Sequence, residues 1–202
     1  MTQVINYSLL GRAATLYAEL GYKQIEVDWM VPYPISLATH NSKDGIFPTI
    51  DRHGNDLALV GSAEQGFLKA VVDGRIVPDR KYMSISPCFR RGDIGPINQE
   101  CFIKLELSAI SLNDDRIRHV MMSDAHNVFQ QLGLEASRIK VFYENDIDTD
   151  PNLDFVFWQD ATTPVELGSY GYREIKGLTD YNFWLHYGTG LALPRFQLTY
   201  ES

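Results

Sequence analysis

The chain has 202 residues, 45% of them hydrophobic and 22% charged, with a formal net charge of -8. That is the balance of a soluble globular domain with a sizeable core, and it argues against a protein whose main work is gripping a phosphate backbone, which needs a basic surface. No apolar run approaches the roughly 20 residues that span a bilayer; the N-terminal MTQVINYSLLGRAA lacks the basic-then-apolar order of a secretory signal, and two cysteines suit a reducing compartment, so a cytoplasmic protein is expected.

The first element in chain order is a helix. Leu9, Ala13, Leu16 and Leu20 recur at helical spacing, and Gly21 is placed to end it. Tyr22 to Val31 alternates imperfectly, with Ile25, Val27 and Trp29 on one side, and reads as a strand stopped by Pro32. Asn41 to Asn55 is dense in Gly, Asp, Asn and Pro and reads as a loop. Ser62 to Val72 reads as a helix, with Ser62 as its cap and Gln65 completing a capping box. Asp114 to Leu132 is the longest helix candidate, closed by Gly133. Ile139 to Glu144, Phe155 to Gln159 and Pro164 to Gly168 read as strands. Strands in a row with helices inserted predict an α+β fold, an antiparallel or mixed β-sheet flanked by helices, as a single domain over residues 1–202.

The middle of the chain reads as a strand–loop–strand. Met83, Ile85, Pro87 and Phe89 fall on one face of its first strand; Tyr82, Ser84, Ser86, Cys88 and Arg90 fall on the other. On the second strand Cys101, Ile103, Leu105 and Leu107 oppose Phe102, Lys104, Glu106 and Ser108. One side is a core face; the other is polar with one aromatic, as the floor of a ligand site on a sheet would be. The plainer alternative is a hairpin with one face in solvent, where such alternation is routine. With Arg90 and Phe102 on one floor, Cys88 and Cys101 point to opposite faces, which excludes a disulfide between them. Gly188-Thr189-Gly190-Leu191-Ala192-Leu193-Pro194-Arg195 reads as a glycine-rich turn ending in a second arginine. Two arginines and a flat ring suit a triphosphate and a base. His186 and His40 have no ligand-like partners at useful spacing, so no zinc site is read.

These segments resemble, in the right order, the three signature motifs of class II aminoacyl-tRNA synthetases. The first helix, Gly21 to Val27 and Pro32 resemble the first motif, a dimer-forming helix and strand closed by proline. Phe89-Arg90 with Asp93, then Phe102, resembles the second; Gly188 to Arg195 resembles the third. Val165-Glu166-Leu167-Gly168-Ser169-Tyr170-Gly171-Tyr172-Arg173 resembles the amino-acid-side strand and glycine-rich turn, in wording nearest the phenylalanyl and phosphoseryl branch, and Ser62-Ala63-Glu64 resembles the loop that many members use to bind the substrate ammonium. The likeness runs from about residue 9 to 198.

The resemblance implies the fold shared by that class and biotin ligases, and an ATP-dependent ligase that activates an amino acid or related carboxylate as its adenylate. It implies Arg90 on the α-phosphate, Arg195 on the γ-phosphate, and Phe102 stacked on adenine. Asp93, Gly188 and Gly190 would complete the nucleotide site. Glu64, Glu166, Gly168 and Ser169 would face the amino acid, and Lys104 and Glu106 form either an ion pair lining that side or a solvated pair. Mg2+ would bridge the phosphates, with Glu166 and Asp154 as its candidate ligands. A homodimer through residues 9–32 is implied. Arg90 could instead pair with Asp93 at the surface, Phe102 could be core, Glu64 could be an exposed helical residue, and Arg195 could face solvent. There are departures. Asp93 stands three past Arg90 where two is usual, Ala192 replaces the third glycine, and Pro194 stands where an acid is common. The chain ends at Ser202, with no anticodon-binding region expected. With the acidic charge, this favours an acceptor other than tRNA. The alternatives are an inactive paralogue that binds or regulates, and a tRNA-charging subunit that needs a partner.

Overall fold

The structure is a computed structural model; it describes residues 4–39, 43–91, 99–112, 116–143, 153–160 and 162–200. A seven-stranded sheet forms its centre. In chain order the strands are β1 (Lys23–Gln24), β5 (Lys81–Phe89), β6 (Cys101–Ser111), β7 (Ile139–Tyr143), β8 (Leu153–Trp158), β9 (Pro164–Ile175) and β10 (Phe183–Leu193). Their spatial order is β1-β5-β6-β10-β9-β8-β7, antiparallel throughout except for the parallel β1–β5 pair. A three-stranded sheet of β2 (Met30–Pro32), β4 (Asp56–Leu59) and β3 (Phe47–Ile50) stands beside it.

Two helices cover one face of the large sheet. Helix α1 (Tyr7–Glu19) buries Leu9, Leu10, Ala13 and Tyr17; α4 (Ile117–Gln131) buries Met121, Ala125, Val128 and Phe129. They meet Met83, Leu105, Leu107 and Leu191 from the strands. Asn6 caps α1 by accepting from the Leu9 amide at 3.0 Å, and Gly21 and Gly133 follow α1 and α4 at φ of +88° and +110°. Among the described residues, a helix covers the other face at one end. There α3 (Ala63–Val72) packs Phe67 and Leu68 with Tyr82, Ile110, Phe183 and Leu185 of the sheet. The expected capping box forms at its start: the Ser62 hydroxyl accepts from Glu64 N, and Ser62 N donates to Gln65 Oε1 at 2.8 Å. Two short helices, α2 (Tyr33–Leu37) and α5 (Arg195–Tyr200), complete the fold.

Three sequence readings are corrected. Tyr22 to Val31 is not one strand. After β1, Ile25 still donates to Met83 O, but the chain then leaves the sheet and crosses α3 at Gly66. A Cβ at Gly66 would come within 2.8 Å of Val27 Cβ and of the Asp28 carbonyl, so glycine is what lets the chain pass. Trp29 and Met30 then lie exposed at the start of the small sheet. The stretch 41–55 is not all loop, because Phe47–Ile50 pairs with β4 across a turn in which Asp51 accepts from the His53 and Asn55 amides. The segment 188–195 is not a turn. Gly188 to Leu193 continues β10, and the arginine begins α5.

The glycines of β10 serve packing. A Cβ on Gly188 would overlap the buried Tyr170 ring; one on Gly190 would overlap Leu105 Cδ2 and touch the Tyr17 ring. The ring of Tyr170 is held by its own hydroxyl, which donates to Thr189 O at 2.5 Å. Gly188→Ala therefore forces a core ring aside, and thermal melts are expected to show a loss of about 1–3 kcal/mol.

Candidate functional site

The half of the sheet that α3 leaves uncovered is the floor of a cavity of about 650 Å³. The hairpin register builds this floor. Cys88 lies opposite Phe102, Ser86 opposite Lys104 and Ser84 opposite Glu106, while Met83, Ile85 and Pro87 pair with Leu107, Leu105 and Ile103 on the core side. From β10, Thr189 lies opposite Glu106 and Ala192 opposite Lys104. The two cysteines take opposite faces and both are free, Cys88 buried and Cys101 exposed.

Arg90, Phe102 and Arg195 all line this one cavity. Arg90 leaves the end of β5 with its Nε donating to Gly61 O at 2.9 Å and its guanidinium 5.5 Å from the centre of the Phe102 ring. Its backbone N–H closes the hairpin on Glu100 O. Arg195 reaches in from the first residue of α5, with Nη1 2.8 Å from Glu166 Oε2 on β9. Arg91 also lines the cavity, but its guanidinium sits over the Phe47 ring, 5.0 Å from its centre. Asp93 lies outside the described residues.

The other end of the cavity is charged and polar. Glu64, on the first turn of α3, is buried, and Arg173 of β9 places Nε 2.6 Å from its Oε1, an ion pair whose N–H lies off the hydrogen-bond line. Burial raises the Glu64 carboxyl from 4.5 to about 7; Arg173 pulls the other way without cancelling it, and Glu106 adds to the rise. Burial also opposes ionisation of Glu106, but there Lys104 at 2.8 Å, the Ser62 hydroxyl donating at 2.6 Å and Arg90 together win, and the carboxyl lies below its usual range. Cys88 lies behind Glu106, its Sγ 3.9 Å from Oε1, and burial pushes its thiol well up, so it is no nucleophile at neutral pH.

Of the residues expected to form the site, Glu64, Arg90, Phe102, Lys104, Glu106, Glu166, Gly168, Ser169, Gly188 and Arg195 line the cavity. Gly190 does not; its α-carbon faces Leu105 and Tyr17 in the core. Nor does Asp154, which stands one strand further out, opposite Ser169 on β8. Ser62, Arg173 and Thr189, which the sequence named only within longer motifs, and Tyr187, which it did not, also line the cavity. Arg173 had a signal: Ser169, Gly171 and Arg173 alternate on one face of β9, so the arginine points where Ser169 does.

The fold has close parallels among solved structures. The pyrrolysyl-tRNA synthetase PylSc of Desulfitobacterium hafniense superposes with a TM-score of 0.70 at 16% identity, over 96% of this chain and 66% of that one. Cytoplasmic serine-tRNA ligase of Naegleria fowleri, solved in complex with AMP, gives 0.73 at 16% identity, over 96% and 52%. Histidyl-tRNA synthetase of S. aureus gives 0.70 at 12% identity, over 96% and 64%. The chain thus spans between half and two thirds of the length of these enzymes. No protein-family model and no curated protein matches its sequence. At such identities the likeness is one of fold, and that fold is the class II aminoacyl-tRNA synthetase catalytic core: a mixed, mainly antiparallel seven-stranded sheet flanked by helices.

Proposed function

We propose that the chain is an ATP-dependent ligase that activates an amino acid, or a related carboxylate, as its adenylate. The observation that carries this reading is that Arg90, Phe102 and Arg195, from a hairpin and a distant strand end, line one cavity with a polar, ion-paired floor beside them. In the reaction a substrate carboxylate oxygen attacks the α-phosphorus of ATP. The bond from that phosphorus to the bridging oxygen breaks, and pyrophosphate leaves with the electron pair. Negative charge builds on the phosphoryl oxygens, and two guanidinium forks set beforehand on either side stabilise it. Arg90 takes the α-phosphate end, Arg195 the leaving pyrophosphate, and Phe102 the adenine face.

Glu166 and Glu100 stand in the same cavity and would be the carboxylates to hold a Mg2+ brought in with the nucleotide. Among the described residues no group of three or more His, Cys, Asp or Glu side chains could hold a metal ion. The Mg2+ would supply charge neutralisation at the phosphates; Asp154 is not among the residues lining this cavity.

The acceptor of the activated group is not tRNA in this reading, supported by the net charge of -8. The protein is a cytoplasmic homodimer that uses the exposed Trp29 and Met30 of the 9–32 segment, since the apolar stripe of α1 is spent on the chain's own core. No helix among the described residues is long and apolar enough to cross a membrane.

The test is amino-acid-dependent exchange of labelled pyrophosphate into ATP. No exchange with any amino acid, together with no ATP binding, ends the proposal; ATP binding without exchange favours the inactive paralogue. Phe102→Ala is expected to raise the KM for ATP about tenfold or more through loss of stacking, with kcat changed less.

A further inference from the structure

The amino-acid end of the cavity carries more chemistry than an α-ammonium and a reacting carboxylate require. Among the described residues, the cavity that Lys104 lines also carries Ser62, Glu64, Gln65, Glu106, Arg173 and Thr189. None of these is aliphatic. Leu167 and Leu193 border the cavity, but their side chains belong to the core on the opposite face, 1% and 0% exposed. Ala192 stands opposite Lys104 on β10 and adds only a methyl group to this wall. Tyr187 offers a ring, but the Arg173 guanidinium already lies over it, 5.0 Å from its centre.

Within this set Lys104 and Glu106 differ in what they have left to give. Glu106 already has a partner on each oxygen: Lys104 reaches one at 2.8 Å and the Ser62 hydroxyl the other at 2.6 Å. Lys104 has three N–H donors, pairs with Glu106, and lines the cavity with its side chain 12% exposed. An apolar substrate side chain placed here would strip water from those donors and return nothing, whereas an oxygen acceptor would satisfy them.

We propose that this subsite selects an amino acid whose side chain ends in an oxygen acceptor, a carboxylate, amide or hydroxyl, received by Lys104. The inference rests on the ligase reading above and deepens it. Lys104 is then the residue that sets specificity, with Glu106 and Ser62 holding it in place.

The experiment is pyrophosphate exchange, with calorimetric binding in the presence of ATP, across aspartate, glutamate, asparagine, glutamine and serine against 2-aminobutyrate, leucine, phenylalanine and lysine. The best oxygen-ended amino acid is expected to exceed its methyl-ended counterpart by about 10²–10⁴-fold in kcat/KM. Lys104→Met alone leaves Glu106 buried without its cation, so the informative variant is the charge-balanced Lys104→Met/Glu106→Gln. In it the preference should fall to about tenfold or less while ATP still binds. Leucine, phenylalanine or lysine performing as well as the oxygen-ended set overturns the inference and leaves the ligase reading standing, as does an unchanged preference in the double variant. Absence of both exchange and ATP binding brings down the ligase reading and this inference together.

Discussion

Arg90→Ala is expected to lower kcat for adenylate formation by about 10²–10³-fold, and Arg91→Ala by about tenfold or less. The two arginines are neighbours, both exposed, and carry the same charge, so any effect of general field should be shared between them. They differ in where they are tied. Arg90 bonds Gly61 O and lies beside Phe102 inside the cavity, whereas Arg91 turns to the small sheet and covers Phe47. A fork held in place ahead of reaction costs no reorganisation when charge develops, and a cation resting on another ring does not act in that way. Arg90→Lys should recover only part of the loss, because a point charge cannot make the planar two-oxygen contact. Single-turnover rates with saturating ATP check this. Equal losses at both positions would show that the hairpin register does not decide which arginine meets the phosphates.

That register is the best example of what was legible in the sequence. From Tyr82 to Phe89 and from Cys101 to Ser108, every residue takes the face its parity assigns. A slip by one would have turned Met83, Leu105 and Leu107 out of the core and Glu106 into it, so burial on one side enforced the pattern. The Ser62 capping box was legible for a different reason: its partners are three residues apart. What failed were readings that depend on distant neighbours. Gly188 and Gly190 suggest local freedom, yet they are small because Tyr170, Leu105 and Tyr17 need the space. Ile25, Val27 and Trp29 alternate like a strand, but the chain leaves the sheet at a crossing permitted by Gly66, far along the sequence. Phe47–Ile50 is a four-residue strand whose Gly, Asp and Asn flanks hid it. Arg173 meets its ion-pair partner Glu64 on another element altogether, 109 positions away in the chain.

Arg173→Ala is expected to destabilise the fold, and to do so more strongly as pH rises. Glu64 is 6% exposed, and burial holds its carboxyl near 7 even with the guanidinium beside it. An unfolded chain returns it to about 4.5, so between those values the folded state binds more protons than the unfolded state. In the wild type Glu64 therefore favours folding at the acid end of this window, and that favour is lost as pH rises through about 7. Glu106 acts elsewhere. Its carboxyl is held below the usual value, so its contribution is intact through this window and falls away only at lower pH. Removing Arg173 takes away the main opposing charge and raises Glu64 further. At pH 5.5 the carboxyl is then neutral and the cost is lost packing, about 1 kcal/mol. At pH 8 the fold must hold an unpaired buried carboxylate or pull a proton from dilute solution, at about 3 kcal/mol or more. Urea denaturation at the two pH values measures the difference. Glu64→Gln should flatten the pH dependence, and Arg173→Ala/Glu64→Gln should recover most of the loss at pH 8 but little at pH 5.5. A loss of the same size at both pH values would mean that Arg173 stabilises the fold by packing alone, with no charge at Glu64 to answer.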